Sequence, residues 1–411
     1  MILQNSALAT KLEILAPVGA SLSTVLGSSA ALPFSEDAIR FVQGFSKEIF
    51  ANRNLKQFPE IIALAHWMRK ANILTLKQKF ESETTERFFL GRGVALHIAP
   101  ANVDTIFLYS VLLSLLAGNA NIVRISTRKS PALDALVTVL QDLLSQDEFS
   151  KIAARLLIVR YERDDHINAD LCSQVDLRVL WGGDQTVKSI REIPTRPATR
   201  DVCFPDRWSL AVINANSITS EADVVKLVKQ FANDVYWFGQ NACSSPRAVA
   251  WLGDVEKVRS ISSLFWSALT QEAIRFQDEF GAVDYVNKLI SQSHVVLDGY
   301  DASMLTTGNN LVSVVRFSKS VSLPMDQHNG CGLFYEVCLE DLSDLRNVLD
   351  KKSQTVCSYG VSKQDWLAFL QEKQIAGIDR VVPFGEALTF NSVWDGMDLM
   401  REFTREIAIS I

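Results

Sequence analysis

From residue 91 to residue 213, short apolar runs alternate with stretches of helical spacing, and this alternation limits the possible folds more than any other feature of the chain. The run 94–98 is ended by Pro100, 104–117 reads as a helix stopped by Gly118, and 121–125 is a second strand. Ser130 and Pro131 then open another helix, a capping side chain followed by a residue suited to the first turn. Further apolar runs follow at 156–159, 177–180 and 210–213. Such a pattern predicts an α/β fold with a parallel sheet covered by helices on both faces. Ligands of such sheets bind beyond the carboxyl ends of the strands, which brings forward the loops 100–103, 126–130 and 182–186.

Residues 1–90 carry a different pattern, with Ala38, Phe41, Val42, Phe45 and Ile49, and then Ile61, Ile62 and Ala65, at helical spacing. Two or three amphipathic helices are expected there. A 411-residue chain with 48% hydrophobic residues is long enough for two cores, since one core rarely grows past roughly 250 to 300 residues. Its net charge of −6 offers no basic face for nucleic acid. The six cysteines show no CxxC spacing and the five histidines are scattered, so no metal is expected. The first residues lack a secretory pattern, and the most apolar run, 105–117, is shorter than the ~20 residues of a membrane helix. The expected setting is the cytoplasm, with reduced thiols and no membrane.

One thiol stands apart. Cys243 lies in Phe238-Gly239-Gln240-Asn241-Ala242-Cys243-Ser244-Ser245-Pro246, a small, polar, turn-forming stretch. Before it, Ser220 and Asp223 read as a helix start, and Val224, Val228, Phe231, Val235 and Phe238 recur at helical spacing. After it comes the apolar run 248–252. A thiol in a loop between two buried elements is placed for reaction, and Cys243 is the expected nucleophile. Cys331 and Cys357 are weaker candidates, and Cys172 and Cys338 read as structural. No GxGxxG follows any strand, so a dinucleotide site needs other support. Gly182-Gly183-Asp184 could let the backbone approach a phosphate at a helix start, and Arg124, Ser126, Arg128 and Lys129 cluster at the end of the second strand.

Taken together, His97-Ile98-Ala99-Pro100-Ala101-Asn102-Val103, Gly118-Asn119-Ala120-Asn121-Ile122-Val123-Arg124, Trp181-Gly182-Gly183-Asp184, the Cys243 stretch and Val382-Pro383-Phe384-Gly385 resemble the LuxC-type acyl-CoA reductases. That family lies within the aldehyde dehydrogenase-like superfamily. The resemblance implies a Rossmann-like cofactor domain with a parallel sheet, at residues 91–240, and a second α/β catalytic domain bearing the thiol, at 241–372. Residues 1–90 would pack on the cofactor domain, and 373–411 would return toward the active cleft and a subunit contact.

The resemblance also implies roles. Cys243 would accept the acyl group of a thioester, and Asn102 with the Cys243 N–H would hold the oxyanion. Arg124, Ser126, Arg128, Lys129, Gly182, Gly183 and Asp184 would bind the cofactor. Positive charge at Arg128 and Lys129 favours a 2′-phosphate, so NADPH is expected over NADH. The stretch 202–207 carries no glutamate where aldehyde-oxidising members keep a water-activating base, and 326–332 carries no second glutamate, the one that contacts the nicotinamide ribose. The implied activity is reduction of an acyl thioester, expected to be fatty acyl-CoA, to the aldehyde, with an acyl-donating protein as a possible partner and a homo-oligomer as the expected assembly. Aldehyde oxidation, acyl-phosphate reduction and a non-catalytic binding subunit are the alternatives.

Overall fold

A computed structural model describes residues 12–99, 106–128, 130–162, 164–305, 307–372 and 375–411. The chain forms two compact units, one of residues up to Pro205 together with Phe390–Ile411, the other of Asp206–Thr389. Among the described residues, no helix is long and apolar enough to cross a membrane.

The first unit is built on a sheet of β1 (Glu13–Ala16), β3 (Val94–Ile98), β4 (Ala120–Ile125), β5 (Leu156–Arg160), β6 (Leu177–Trp181) and β7 (Arg200–Phe204), in the order β1-β5-β4-β3-β6-β7. The pairs are parallel except for β1, which lies antiparallel on β5 at the edge. From β3 the chain steps outward to β4 and β5, then crosses to β6 on the other side of β3. The reversal at β3 and β6 is the switch point, and it brings the Gly182-Gly183 turn to one flank of it. β2 (Phe88–Gly91) pairs instead with the strand Thr404–Ile407, which ties the C-terminal segment into this unit.

Helix Ile106–Leu116 is buried along its whole length. Gly118 follows it with φ of +91°, where a Cβ would stand 2.2 Å from the Ala31 carbonyl oxygen, so only glycine fits. The polar residues of the adjoining motif have structural partners. Asn119 accepts the N–H groups of Arg92 and Gly93 and donates to the Phe403 carbonyl, while His97 is bonded to both Ser110 and Asn121. Burial pushes the His97 imidazole down to about 4, so it stays neutral. The helical expectation for the N-terminal region is met by Glu36–Ala51, Pro59–Trp67 and Lys70–Glu83. Phe41 meets Phe149 edge-on, and Trp67 packs on Tyr109.

The second unit holds β8 (Trp208–Asn214), β9 (Pro246–Leu252), β10 (Ala302–Leu305), β11 (Ser313–Phe317), β12 (Leu333–Leu339), β13 (Ser353–Tyr359) and β14 (Arg380–Pro383). They form one sheet in the order β10-β11-β12-β9-β8-β13-β14, with only β10 antiparallel to its neighbour. Alternate residues of β9 serve two cores: Val249 and Trp251 join Phe231, Phe265 and Phe334, while Ala248 and Ala250 join Leu210, Val212 and Tyr335. In the first of these, the fully buried Glu336 carboxylate takes the indole N–H groups of Trp251 and Trp266, each at 2.8 Å, and the Arg316 Nε–H at 2.6 Å.

The boundary between units differs from the expected one near residue 240. The strand at 208–214 pairs with β9 and β13, so the division falls after Pro205 and the helix leading to Cys243 belongs with the thiol. Of the C-terminal segment, β14 completes the second sheet and Phe390–Ile411 belongs to the first unit.

Candidate active site

Helix Glu221–Tyr236 begins with a capping box in which Ser220 and Asp223 bond each other's main chain, as the sequence suggests. It ends in a tight turn: Gly239 and Gln240 both take positive φ, at 55° and 65°. The buried Gln240 is held there by its side chain, whose amide donates to the Pro246 and Leu333 carbonyls and accepts the Gly332 N–H. Ser245 donates to the carbonyl of Asp234, in the last turn of that helix. Cys243 therefore sits, half-buried, in a turn bonded on both sides to regular structure.

Two irregularities of the sheet converge on this turn. Ser209 of β8 pairs with Pro246 and Leu210 with Ala248, so Arg247 is one residue too many in β9. On the other side of β8, Trp208 pairs with Ser353 and Leu210 with Val356, so Gln354 and Thr355 together stand opposite Ser209. Bulges between parallel strands are uncommon, and they re-aim side chains. Here they act on three residues around the thiol. The Ser209 hydroxyl donates to the Cys243 carbonyl at 2.7 Å and accepts the Thr355 N–H at 3.1 Å. The Gln354 amide donates to the Cys243 sulfur at 3.4 Å. The Arg247 guanidinium donates to the His328 carbonyl at 3.2 Å and has its Nε–H buried without a partner among the described residues.

The other five thiols lack such a setting. Burial pushes Cys172, Cys203 and Cys338 up and Cys357 well up, while burial and the neighbouring Asp284 carboxylate push Cys331 up to about 12. Thiols held up in this way are poor nucleophiles at neutral pH. Cys331 also has positive φ and serves the turn through its N–H, which donates to the Gly239 carbonyl.

In the first unit, the sequence-derived cofactor residues gather at the carboxyl ends of β4 and β6. Arg124 is half-buried over the Tyr161 ring and donates to the Tyr161 carbonyl. Ser126 accepts the Arg128 N–H, and Arg128 is exposed. Gly183 caps helix Asp184–Arg191 without a side-chain bond to the first turn, and the Trp181 indole N–H at the end of β6 is buried without a partner among the described residues. Uncapped N–H groups and an unpartnered donor at the end of β6, with two cationic side chains at the end of β4, fit an anionic dinucleotide, with the Asp184 carboxylate opposing it in the first turn of the helix. Asn102 and Lys129 lie outside the described residues. Among those described, no group of His, Cys, Asp and Glu could hold a metal ion.

Ser209, Gln354 and Arg247 escape the sequence reading. Arg247 is within reach of sequence reasoning because it directly follows the Cys243 stretch. Nothing local marks Ser209 or Gln354, which reach the thiol only through the order of the strands.

Comparison with known proteins agrees with this architecture. The chain is 22% identical over 309 residues to a long-chain acyl-protein thioester reductase of Aliivibrio fischeri, covering 72% of this chain and 58% of that protein. It is 23% identical over 190 residues to long-chain acyl-protein thioester reductase 2 of Photobacterium leiognathi, covering 46% of this chain and 37% of that one. The chain thus spans well under two thirds of the length of these relatives. Among solved structures it resembles aldehyde dehydrogenase 21 of Physcomitrella patens, with TM-score 0.67, 8% identity and coverage of 94% and 88% of the two chains. It also resembles methylmalonate-semialdehyde dehydrogenase of Oceanimonas doudoroffii, with TM-score 0.64, 12% identity and coverage of 90% and 84%. These likenesses establish an aldehyde dehydrogenase-like fold. The family description "Acyl-CoA reductase (LuxC)" matches residues 75–406, and the chain belongs to that family.

Proposed function

We propose that the chain reduces an acyl thioester to the aldehyde with NADPH, using Cys243 as the acyl acceptor. The observation that carries this reading is the Cys243 turn, where one thiol has an amide donor on its sulfur and an anchored carbonyl, while the other five are held up by burial. Family membership supports the substrate class, and the relatives' names extend it to long-chain acyl groups carried on a protein.

In this reading the Cys243 thiolate attacks the thioester carbonyl. The S–C bond forms, the π pair moves to oxygen, and collapse of the tetrahedral species expels the donor's thiolate. Asn102 and the Cys243 N–H are the proposed donors to that oxygen, a role in which each donor is worth roughly 3 to 4 kcal/mol. A reduced nicotinamide, when bound, would supply a hydride to the acyl carbon; Cys243 then leaves as its thiolate when the C–S bond breaks, and the aldehyde is released. Arg124, Ser126 and Arg128, with Lys129, are proposed to take the adenosine end and its 2′-phosphate, and Gly182, Gly183 and the helix start at Asp184 the pyrophosphate. The stretch 202–207 lacks a glutamate that could activate water, which suits an acyl-enzyme that must survive until reduction. A cytoplasmic homo-oligomer supplied by an acyl-donating protein is part of the same proposal.

The test is nicotinamide oxidation with acyl-CoA thioesters of graded length and with an acylated carrier protein, in the parent chain and Cys243→Ala. Thioester-dependent turnover lost in the variant supports the reading. Full activity of Cys243→Ala removes the nucleophile, formation of acid from aldehyde favours an oxidising enzyme, and absence of turnover with every donor favours a binding subunit.

A further inference from the structure

We propose that Cys243 is kept as its thiolate by two side chains carried on the bulges that flank β8: the Gln354 amide, which donates to the sulfur, and the half-buried Arg247 guanidinium, which supplies a nearby positive charge. The proposal rests on the reading of Cys243 as the nucleophile and adds residues to it. Gln354 touches the reacting atom, whereas Arg247 acts on it through space.

Three observations point this way. Gln354 is 97% buried, its relative exposure being 3%, and its amide spans 3.4 Å to the sulfur from a position the bulge provides. A hydrogen bond to the charged form of an acid favours that form. Arg247 is the extra residue of the opposite bulge, and among the described residues it forms no ion pair, only the bond to the His328 carbonyl. Arg247 is half-buried with its Nε–H out of solvent and unpartnered among the described residues, and desolvating part of a guanidinium without a carboxylate partner is costly unless its charge is used. Ser209, lying between the bulges, fixes the main chain of Cys243 relative to both.

The surrounding charges are consistent with this use. Burial lowers the Arg247 guanidinium, and the groups that pull it back up are Cys243 first, then Asp206 and Cys331. Cys331 is itself pushed up to about 12, so it brings no charge near neutral pH. His328 is pushed well down by burial and then by Arg247, so its ring is neutral. On the β13 side, Arg380 donates to the Thr355 hydroxyl and adds positive charge, while Arg207 is matched by Asp379 and Lys352 by Asp326. Asp206 is the opposing carboxylate, and it acts on Arg247 less than Cys243 does.

The experiment is the rate of iodoacetamide alkylation against pH, read by mass spectrometry on the peptide containing Cys243, in the full chain. Gln354→Met keeps the length of the side chain and removes the donor, so the alkylation midpoint should rise and the rate at neutral pH should fall several-fold. Gln354→Glu places a carboxylate at the sulfur and should raise the midpoint by about one pH unit or more, a tenfold loss of thiolate. Arg247→Gln should raise it as well, and Arg247→Lys should restore most of the parent profile, which a packing role alone would not do. Circular dichroism reports whether each variant folds, and where Arg247→Gln does not, the two Gln354 variants decide. Unchanged midpoints in folded Gln354→Met and Gln354→Glu overturn the proposal. Mixing the parent chain with acyl-CoA separates the two levels: an acyl adduct on Cys243 with unchanged midpoints removes only this inference, and no adduct removes the nucleophile itself.

Discussion

The Ser209 hydroxyl joins the Cys243 carbonyl to the Thr355 N–H, at 2.7 and 3.1 Å, and is itself fully buried. Ser209→Ala leaves two main-chain groups unsatisfied beside the thiol, and each such group costs roughly 1–3 kcal/mol. The urea midpoint of the variant should fall with its m-value unchanged, and alkylation of Cys243 should become slower at every pH. A midpoint equal to that of the parent chain would remove Ser209 as the tether.

Asp234 gives a pH signature. Burial raises its carboxyl from 3.8 to about 6, against the lowering effect of the Gly385 and Ala387 N–H groups that it accepts. Between those two values the folded chain binds more protons at this site than the unfolded chain, so its contribution to stability falls as pH rises through the window. Below the window the group is protonated in both states, and above it the penalty is complete, on the order of 3 kcal/mol. Asp234→Asn should flatten that part of the melting profile. A slope identical in the variant would contradict the assignment.

Glu336 should be among the least replaceable residues of the second unit. Its carboxylate serves two indole donors and one guanidinium with no exposure to solvent. In Glu336→Gln an amide N–H would face either the Arg316 donor or the two indoles, and the half-buried guanidinium would lose its partner, for a loss of roughly 1–3 kcal/mol. Chemical denaturation measures it, and a loss below about 1 kcal/mol would show that solvent reaches the network.

Arg128 tests the cofactor proposal. If its charge meets a 2′-phosphate, Arg128→Glu should lower kcat/KM for NADPH by about tenfold or more, because one charge-assisted hydrogen bond is worth about 1.5–3 kcal/mol. The value for NADH should change little. Equal loss with both cofactors would place the side chain elsewhere.

The strands at the centres of both sheets were legible because buried parallel strands are written as compact apolar runs, as at 94–98 and 177–180. The capping box at Ser220 and the turn at Gly239 and Gln240 were legible for a similar reason, since local chemistry decides them. β1 and β7 escaped, one a short edge strand and the other partly exposed with a charged start. The unit boundary escaped because an apolar run such as 210–213 does not state which sheet it joins. Cys243 was readable from its flanks, but Gln354 stands 111 residues away and meets it only because β13 lies beside β8.

The sheet itself has no use for Arg247. Excising that residue would leave Leu210 opposite Ala248, and every later pair of β8 and β9 unchanged. Losing a residue farther along β9 would instead reverse the parity of what remains of the strand, turning residues of one core toward the other. At position 247 a deletion should therefore disturb the sheet little more than the charge-removing Arg247→Gln does, whereas within 248–252 a deletion should be far worse than any substitution.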